Sequence, residues 1–264
     1  MDLGISGRTA VITGAAGGMG EATARILLDE GVDLVLTDND GDGLKETAGR
    51  LGADDRVTTV VADLTEPDEV GRLEAEAGEV HILVHTAGIT GAKGDPLSDI
   101  TDHDWLDAWH SDFMSGVRVA RAFVPPMRKR GWGRVVFVTS ENVAQPYDDE
   151  AVYNAAKAAV LTFVKGMAQR YAPDGVLVNS VAPAFIETPM TDYMMEKTAD
   201  EEGISKEQAI EDFLEEDRPH LVLNRRGKPE EVAAVIAFLC SERASFVVGS
   251  NYRVDGGSVA SIDL

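Results

Sequence analysis

The chain has 264 residues, 44% of them hydrophobic and 27% charged, with 46 acidic against 24 basic side chains and a formal net charge of -22. That length suits one large α/β domain with a sizeable core, and that charge repels phosphate backbones and anionic bilayers, which argues against nucleic acid and membranes as partners. No basic and apolar leader opens the sequence, the longest strongly apolar run (232–240) is too short to span a bilayer, and the single Cys240 has no disulfide partner, so a soluble cytoplasmic protein with a core cysteine is expected.

Short β-branched runs alternate with amphipathic ones. "RTAVIT" (8–13), "VDLVLT" (32–37), "RVTTVV" (56–61), "VHILVH" (80–85) and "GRVVFVTS" (133–140) read as strands buried on both faces, and helical patterns cover 18–30, 41–51, 66–77 and 102–130 between them. A helix over 151–171 follows, then a strand at 175–182, an irregular stretch, a helix opened near Pro229, and a last strand at 250–254. The order is βαβ throughout. It predicts an α/β fold, a single Rossmann-type doubly wound parallel sheet with helices on both faces, whose ligands bind beyond the carboxyl ends of the strands.

Two motifs follow strands in the required way. "TGAAGGMG" (13–20) ends the first strand and opens the first helix, with Gly14, Gly17, Gly18 and Gly20. Glycines there permit positive φ and close backbone approach, and a helix amino terminus offers unpaired N–H groups to a pyrophosphate. Further on, "AVYNAAKAAV" (151–160) sets Tyr153 and Lys157 one helical turn apart on one face, and Ser140 lies thirteen residues before the tyrosine at a strand end. Hydroxyl, phenol and ammonium can converge there. A cation beside a phenol favours the phenolate, as a general base for alcohol oxidation needs, and the same tyrosine donates its proton in reduction.

TGxxxGxG followed far downstream by YxxxK resembles the short-chain dehydrogenase/reductases, single-domain enzymes that use nicotinamide cofactors, and the resemblance covers nearly the whole chain. It implies an NAD-dependent oxidoreductase interconverting a small-molecule secondary alcohol and ketone. Ser140, Tyr153 and Lys157 would be catalytic, with Ser140 donating to the substrate oxygen and Lys157 also holding the nicotinamide ribose. Gly14, Gly18, Met19, Gly20, Asp38, Asp63, Leu64, Ala87, Gly88, Ile186 and Thr188 would bind cofactor beside Tyr153 and Lys157. Asp38, about 18 residues past Gly20, can accept from ribose hydroxyls and would repel a 2′-phosphate, so NAD is expected over NADP. No metal is expected, because the five histidines show no ligand spacing with acids or cysteine.

The sequence departs from the family pattern in three places, one of them Ala184, where glycine is common. Asp112 stands where the family has an Asn in its proton relay and is counted with the catalytic residues as a relay group, and "HTAG" (85–88) replaces the usual NNAG, with His85 expected to be a neutral core histidine rather than a base. Residues 188–226 are expected to form a substrate lid. Its "SKEQAIEDFLEED" should be a capped amphipathic helix, with Phe185, Met190, Tyr193, Met194 and Met195 as an apolar wall and Glu141, Asn142, Gln145 and Tyr147 as polar groups near Ser140. These features favour a substrate with an apolar body, a polyol or sugar coming second. The family resemblance further implies a homotetramer, built on the helices at 102–130 and 151–171 and on the carboxyl tail. A non-catalytic NAD-binding protein and an NAD-assisted epimerase or dehydratase are the competing readings.

Overall fold

The computed structural model describes residues 2–52 and 55–262 of the chain. Seven strands form one parallel sheet: β1 (Thr9–Thr13), β2 (Asp33–Asp38), β3 (Val57–Val61), β4 (Ile82–His85), β5 (Gly133–Val138), β6 (Val176–Pro183) and β7 (Asn251–Val254), in the order 3-2-1-4-5-6-7. The order reverses between β1 and β4, whose register pairs Thr13 with His85. All seven strands lie where the sequence predicts them.

Alternation along each strand divides the core. Ile12, Leu36, Val84, Val136 and Val181 face one side of the sheet, where they pack with Leu27, Ile236 and Cys240 from α1 (Gly18–Asp29) and the carboxyl-terminal helix Pro229–Cys240. Val11, Val35, Leu83, Val135 and Phe137 face the other side and meet Leu73, Phe123, Met127 and Val160, from helices within 67–171. β5 is buried at all six positions, as a central strand covered on both faces must be. β3 is different. It was expected to be buried on both faces, yet it is an edge strand on which Thr58, Thr59 and Val61 are exposed.

Two helices depart from the periodicity. The helix expected over 102–130 is interrupted: α4 (Asp102–Ala108) gives way to a π-helical turn, Trp109–Met114, before α5 (Ser115–Arg130) resumes. Phe113 of that turn sits against Trp109 (centroids 4.4 Å apart) and edge-on to Phe163 (5.9 Å) of α6 (Ala151–Tyr171). The turn is thereby held on the helix that carries Tyr153 and Lys157. The stretch read as irregular after β6 contains α7 (Pro189–Glu202), started by Thr188 in a reciprocal capping box with Thr191 and by Pro189 in the first turn. α8 (Lys206–Glu216) is the expected capped helix, with the Ser205 side chain accepting from Gln208 N. α7 and α8 share a small core of Phe185, Met195, Leu214 and Leu221. Two earlier helices, α2 (Gly41–Leu51) and α3 (Pro67–Ala77), complete the layers beside β2 and β3.

Candidate active site

At the carboxyl ends of β1, β2 and β4 lies a cleft of about 360 Å³. Gly14, at φ +65°, leaves no room for a Cβ, which would stand 2.7 Å from Ala87 N, and a Cβ at Gly20 would run into the Gly14 carbonyl. The turn therefore folds tightly on itself, as only glycine permits. No side chain caps α1 at Gly17, so its first-turn N–H groups remain available to an anion. Met19, Asp38, Asp63, Leu64, Ala87, Gly88 and Thr188 line the same cleft. Asp38 ends β2 and its Oδ2 accepts from Ala16 N at 3.0 Å, which fastens the glycine turn to the second strand. Asp63 accepts from Thr65 N (2.8 Å) and Thr65 Oγ1 (2.7 Å). Asp40 and Asn39 border this end too, and among the described residues no Lys or Arg lines the cleft.

A second, smaller cleft of about 140 Å³ shares Met19, Thr188 and Met190 with the first. Ser140 and Tyr153 line it, and so does Ile186, whose buried side chain also joins the core. Ser140 closes β5 and caps a short 3-10 turn; its hydroxyl accepts from Asn142 N (3.2 Å) and donates to Asn142 Oδ1 (2.8 Å). The Tyr153 hydroxyl sits deep and in hydrogen-bonding contact with Ser140. Lys157 Nζ lies 5.4 Å from the Tyr153 ring centroid and 3.1 Å from Asp112 Oδ1. Hydroxyl, phenol, ammonium and the carboxylate of the π turn thus come together across β5, α6 and the 109–114 segment.

The electrostatics of this group differ from the sequence-based expectation in one respect. Lys157 was expected to bring the Tyr153 phenol below its ordinary value. Instead burial pushes the phenol up, Lys157 opposes that only in part, and the Asp112 charge adds to it. Asp112 is itself fully buried; burial raises its carboxyl, against the pull of Lys157 and of the Ile89 N–H that donates to it at 3.1 Å. Burial would lower Lys157, yet Asp112 and Tyr153 outweigh it and the ammonium ends up raised. Gly88 completes this corner. A Cβ there would lie 2.9 Å from Lys157 Nζ and collide with the Asp112 carboxylate.

His85 is the neutral core residue that was expected. It is 1% exposed, its Nδ1 is 2.8 Å from Thr13 Oγ1 and its Nε2 3.4 Å from Ser115 Oγ, and burial followed by the Lys157 charge drives its pKa down to about 3. Cys240 is also buried, with its thiol pushed up to about 12 by burial.

The lid residues sort differently from the sequence reading. Phe185, Met190 and Met194 line the second cleft, whereas Met195 is buried between α7 and α8 and Tyr193 is 70% exposed. Glu141 and Asn142 line it; Gln145 and Tyr147 stand behind, with Tyr147 donating to Glu141 Oε1 at 3.0 Å. Sequence reasoning missed three lining residues from distant segments, Lys93, Glu150 and Arg218. Lys93 Nζ is 2.6 Å from Glu150 Oε1, Asn142 Nδ2 donates to Glu150 Oε2 at 2.6 Å, and Arg218 reaches Glu141 and Glu150 at 3.5 Å each. Two basic groups therefore stand beside the site, and carboxylates pair with both. No local motif announces them, because loop, helix cap and lid meet only in space.

A family model described as "Enoyl-(Acyl carrier protein) reductase" matches residues 14–259. The chain belongs to the short-chain dehydrogenase/reductase family. It is 31% identical over 265 residues to an uncharacterized oxidoreductase, YvrD, of Bacillus subtilis, covering 99% of this chain and 100% of that one. It is likewise 31% identical to the 3-oxoacyl-[acyl-carrier-protein] reductase FabG of Salmonella typhimurium, over 97% and 98% of the two chains. Among solved structures, L-sorbose reductase from Gluconobacter frateurii, complexed with NADPH and L-sorbose, superposes with a TM-score of 0.93 at 35% identity, covering 99% and 100%. The protein is accordingly an oxidoreductase of this family, and such relatives support a ketone/alcohol reaction with a nicotinamide cofactor. Among the described residues no helix is long and apolar enough to cross a membrane, and no cluster of three or more His, Cys, Asp or Glu could hold a metal ion.

Proposed function

We propose that the protein is a cytoplasmic NAD(H)-dependent reductase of small ketones, with Tyr153 as general acid and, in the reverse direction, general base. The observation that carries this reading is that Ser140 and Tyr153 line the second cleft, which adjoins the first at Met19, Thr188 and Met190, with the buried Lys157 ammonium against the Tyr153 ring. A nicotinamide cofactor, which the glycine turn and α1 amino terminus would hold with Asp38 and Asp63 at the far end of the cleft, would supply the hydride for reduction. Tyr153 gives its phenolic proton to the carbonyl oxygen of the ketone, and the phenolate regains a proton from solvent. Ser140 stabilises charge growing on the oxygen by a hydrogen bond. Lys157 holds positive charge beside the phenolate while it lasts. Asp112 is placed to act on that ammonium, not on the substrate.

NADH is preferred here because Asp38, Asp40 and Asp63 line the proposed adenosine end, and among the described residues no Lys or Arg lines the cleft to receive a 2′-phosphate. The L-sorbose reductase neighbour was solved with NADPH, so the preference for NADH rests on the carboxylates of this chain alone and runs against that likeness. The preference for an apolar substrate body accounts for one wall only, formed by Phe185, Ile186, Met190 and Met194. The opposite wall carries the Asn142–Glu150–Lys93 network, which favours a ketone bearing further hydroxyl groups. Segment 188–226 acts as the lid over it. Trp105, Leu106 and Phe246 are exposed on α4 and beside β7, apolar surface that supports a homotetramer.

A panel of hydroxylated and plain ketones, followed by NADH absorbance with NADPH in parallel, tests the proposal. Turnover with NADH, reduced about 10²–10⁴-fold in Tyr153→Phe, is the expected result. Cofactor binding without turnover of any ketone would instead favour a non-catalytic NAD-binding protein, and product formation without net NADH change would favour an epimerase or dehydratase.

A further inference from the structure

We propose that the buried Asp112 carboxylate captures the Lys157 charge and so keeps Tyr153 protonated in the resting site, biasing the enzyme at neutral pH toward ketone reduction over alcohol oxidation. The inference rests on the reading of Tyr153 as the proton-transferring group and adds a positioning role for Asp112.

The geometry supports a charge count. Lys157 is 5% exposed and Asp112 is not exposed at all; their 3.1 Å contact excludes solvent, and Gly88 packs so closely that no side chain could fit beside them. The charged and titratable groups facing the phenol come from three sides. α6 and its cap contribute Lys157 and Glu150, the π turn contributes Asp112, and the end of β5 contributes the neutral Ser140 hydroxyl. Behind Lys157 on β4 stands His85, neutral near pH 7, while Asp107 of α4 acts on Asp112 and disfavours its charge. Glu150 is already paired with Lys93 and Arg218. One cation and one anion therefore stand beside Tyr153, and they cancel.

Ionising the phenol leaves this buried group with a net charge of minus one, a state that low dielectric penalises. An uncharged amide at position 112 would leave the ammonium unopposed, and the phenolate would then make the group neutral. The carboxylate is held for this task by the π turn, which directs Oδ1 to both Lys157 Nζ and Ile89 N. Reduction begins with a protonated tyrosine, whereas oxidation begins with a deprotonated one. Asp112 consequently favours the first.

Tyrosinate absorbance of the cofactor-free protein, titrated against pH with Tyr153→Phe subtracted, reads the proton directly. In the wild type, Tyr153 is expected to stay protonated to at least the ordinary phenol value of about 10. Asp112→Asn should lower its titration by about one unit or more, and Asp112→Glu, which keeps the charge, should lower it far less. In the same variant the ratio of oxidation to reduction kcat at pH 7 should rise by about tenfold, the factor equivalent to one unit. A wild-type Tyr153 that ionises well below the free value, or an Asp112→Asn protein whose Tyr153 titration does not move, would overturn the proposal. The wild-type titration decides even if the variant does not fold, and it is read whether or not any ketone is turned over.

Discussion

At residue scale, His85 shows how a strand-end position converts a titratable group into a stability element. It is enclosed by Thr13, Ser115 and Phe137, and its pKa falls to about 3 from an ordinary value near 6.5. Between those values the unfolded chain binds the proton and the folded one does not, so this residue's contribution is complete above pH 6.5 and is lost as pH falls toward 3. The steepest slope is about 1.4 kcal/mol per pH unit. Urea unfolding at pH 7 and pH 5 should therefore show a larger acid loss in wild type than in His85→Asn; equal losses would mean the imidazole is not held neutral. Asp38 makes a residue-scale prediction for the cofactor. Asp38→Asn removes a carboxylate that lines the first cleft and, on the proposed reading, would face the adenosine ribose; it should narrow the NADH to NADPH ratio of kcat/KM by about tenfold, the effect of one unscreened charge at short range. A ratio that stays put would assign cofactor choice elsewhere.

At the scale of elements, the lid and the π turn are where local rules and tertiary packing divide the work. α8 is anchored at its start by Ser205, whose side chain accepts from Gln208 N at 3.1 Å, and just past its end by Arg218, which stacks 3.5 Å from the Tyr147 ring and reaches Glu141 and Glu150. Removing the cap by Ser205→Ala costs the helix about 1 kcal/mol. Amide exchange across 206–216 should accelerate and KM for ketone should rise while kcat changes little, because the proposed reacting groups lie on α6 and just past β5. Unchanged exchange would show that packing on α7 alone holds α8. The helix ends in this region were legible: Ser205 and Pro229 sit where capping chemistry requires them. α7 carried the same kind of signal in Thr188-Pro189, hidden by a weak apolar stripe in "TDYMMEKTADEE". The interruption at 109–114 had no such signal, since the segment keeps helical composition and only the fit of Phe113 between Trp109 and Phe163 explains the wider turn.

For the whole molecule, net charge is the dominant unlocal property. A charge of -22 spread over one domain repels itself, and the many surface ion pairs, such as Arg50–Glu21 at 2.8 Å, are each worth little. Raising ionic strength from about 0.01 M to about 0.15 M shortens the screening length from ~30 to ~8 Å. The melting temperature should rise with it. A flat or falling dependence would show that local pairing already offsets the repulsion.

The sequence by itself determined the order of the strands, most of the helices between them, the doubly wound sheet and the tight glycine-rich turn, because period-two burial, helix caps and glycine backbone freedom act over a few neighbouring residues. It also brought Ser140 and Tyr153 to one cleft, with Lys157 buried beside the tyrosine ring, through spacing that a strand end and one helical turn convert into proximity. Only the tertiary structure decided that β3 is an exposed edge, that Lys93, Glu150 and Arg218 meet in the second cleft, and that Asp112 pairs with Lys157. Those outcomes depend on which groups share a buried space. Burial and charge pairing are sums over every element packed around a point, and no short stretch of chain contains that sum.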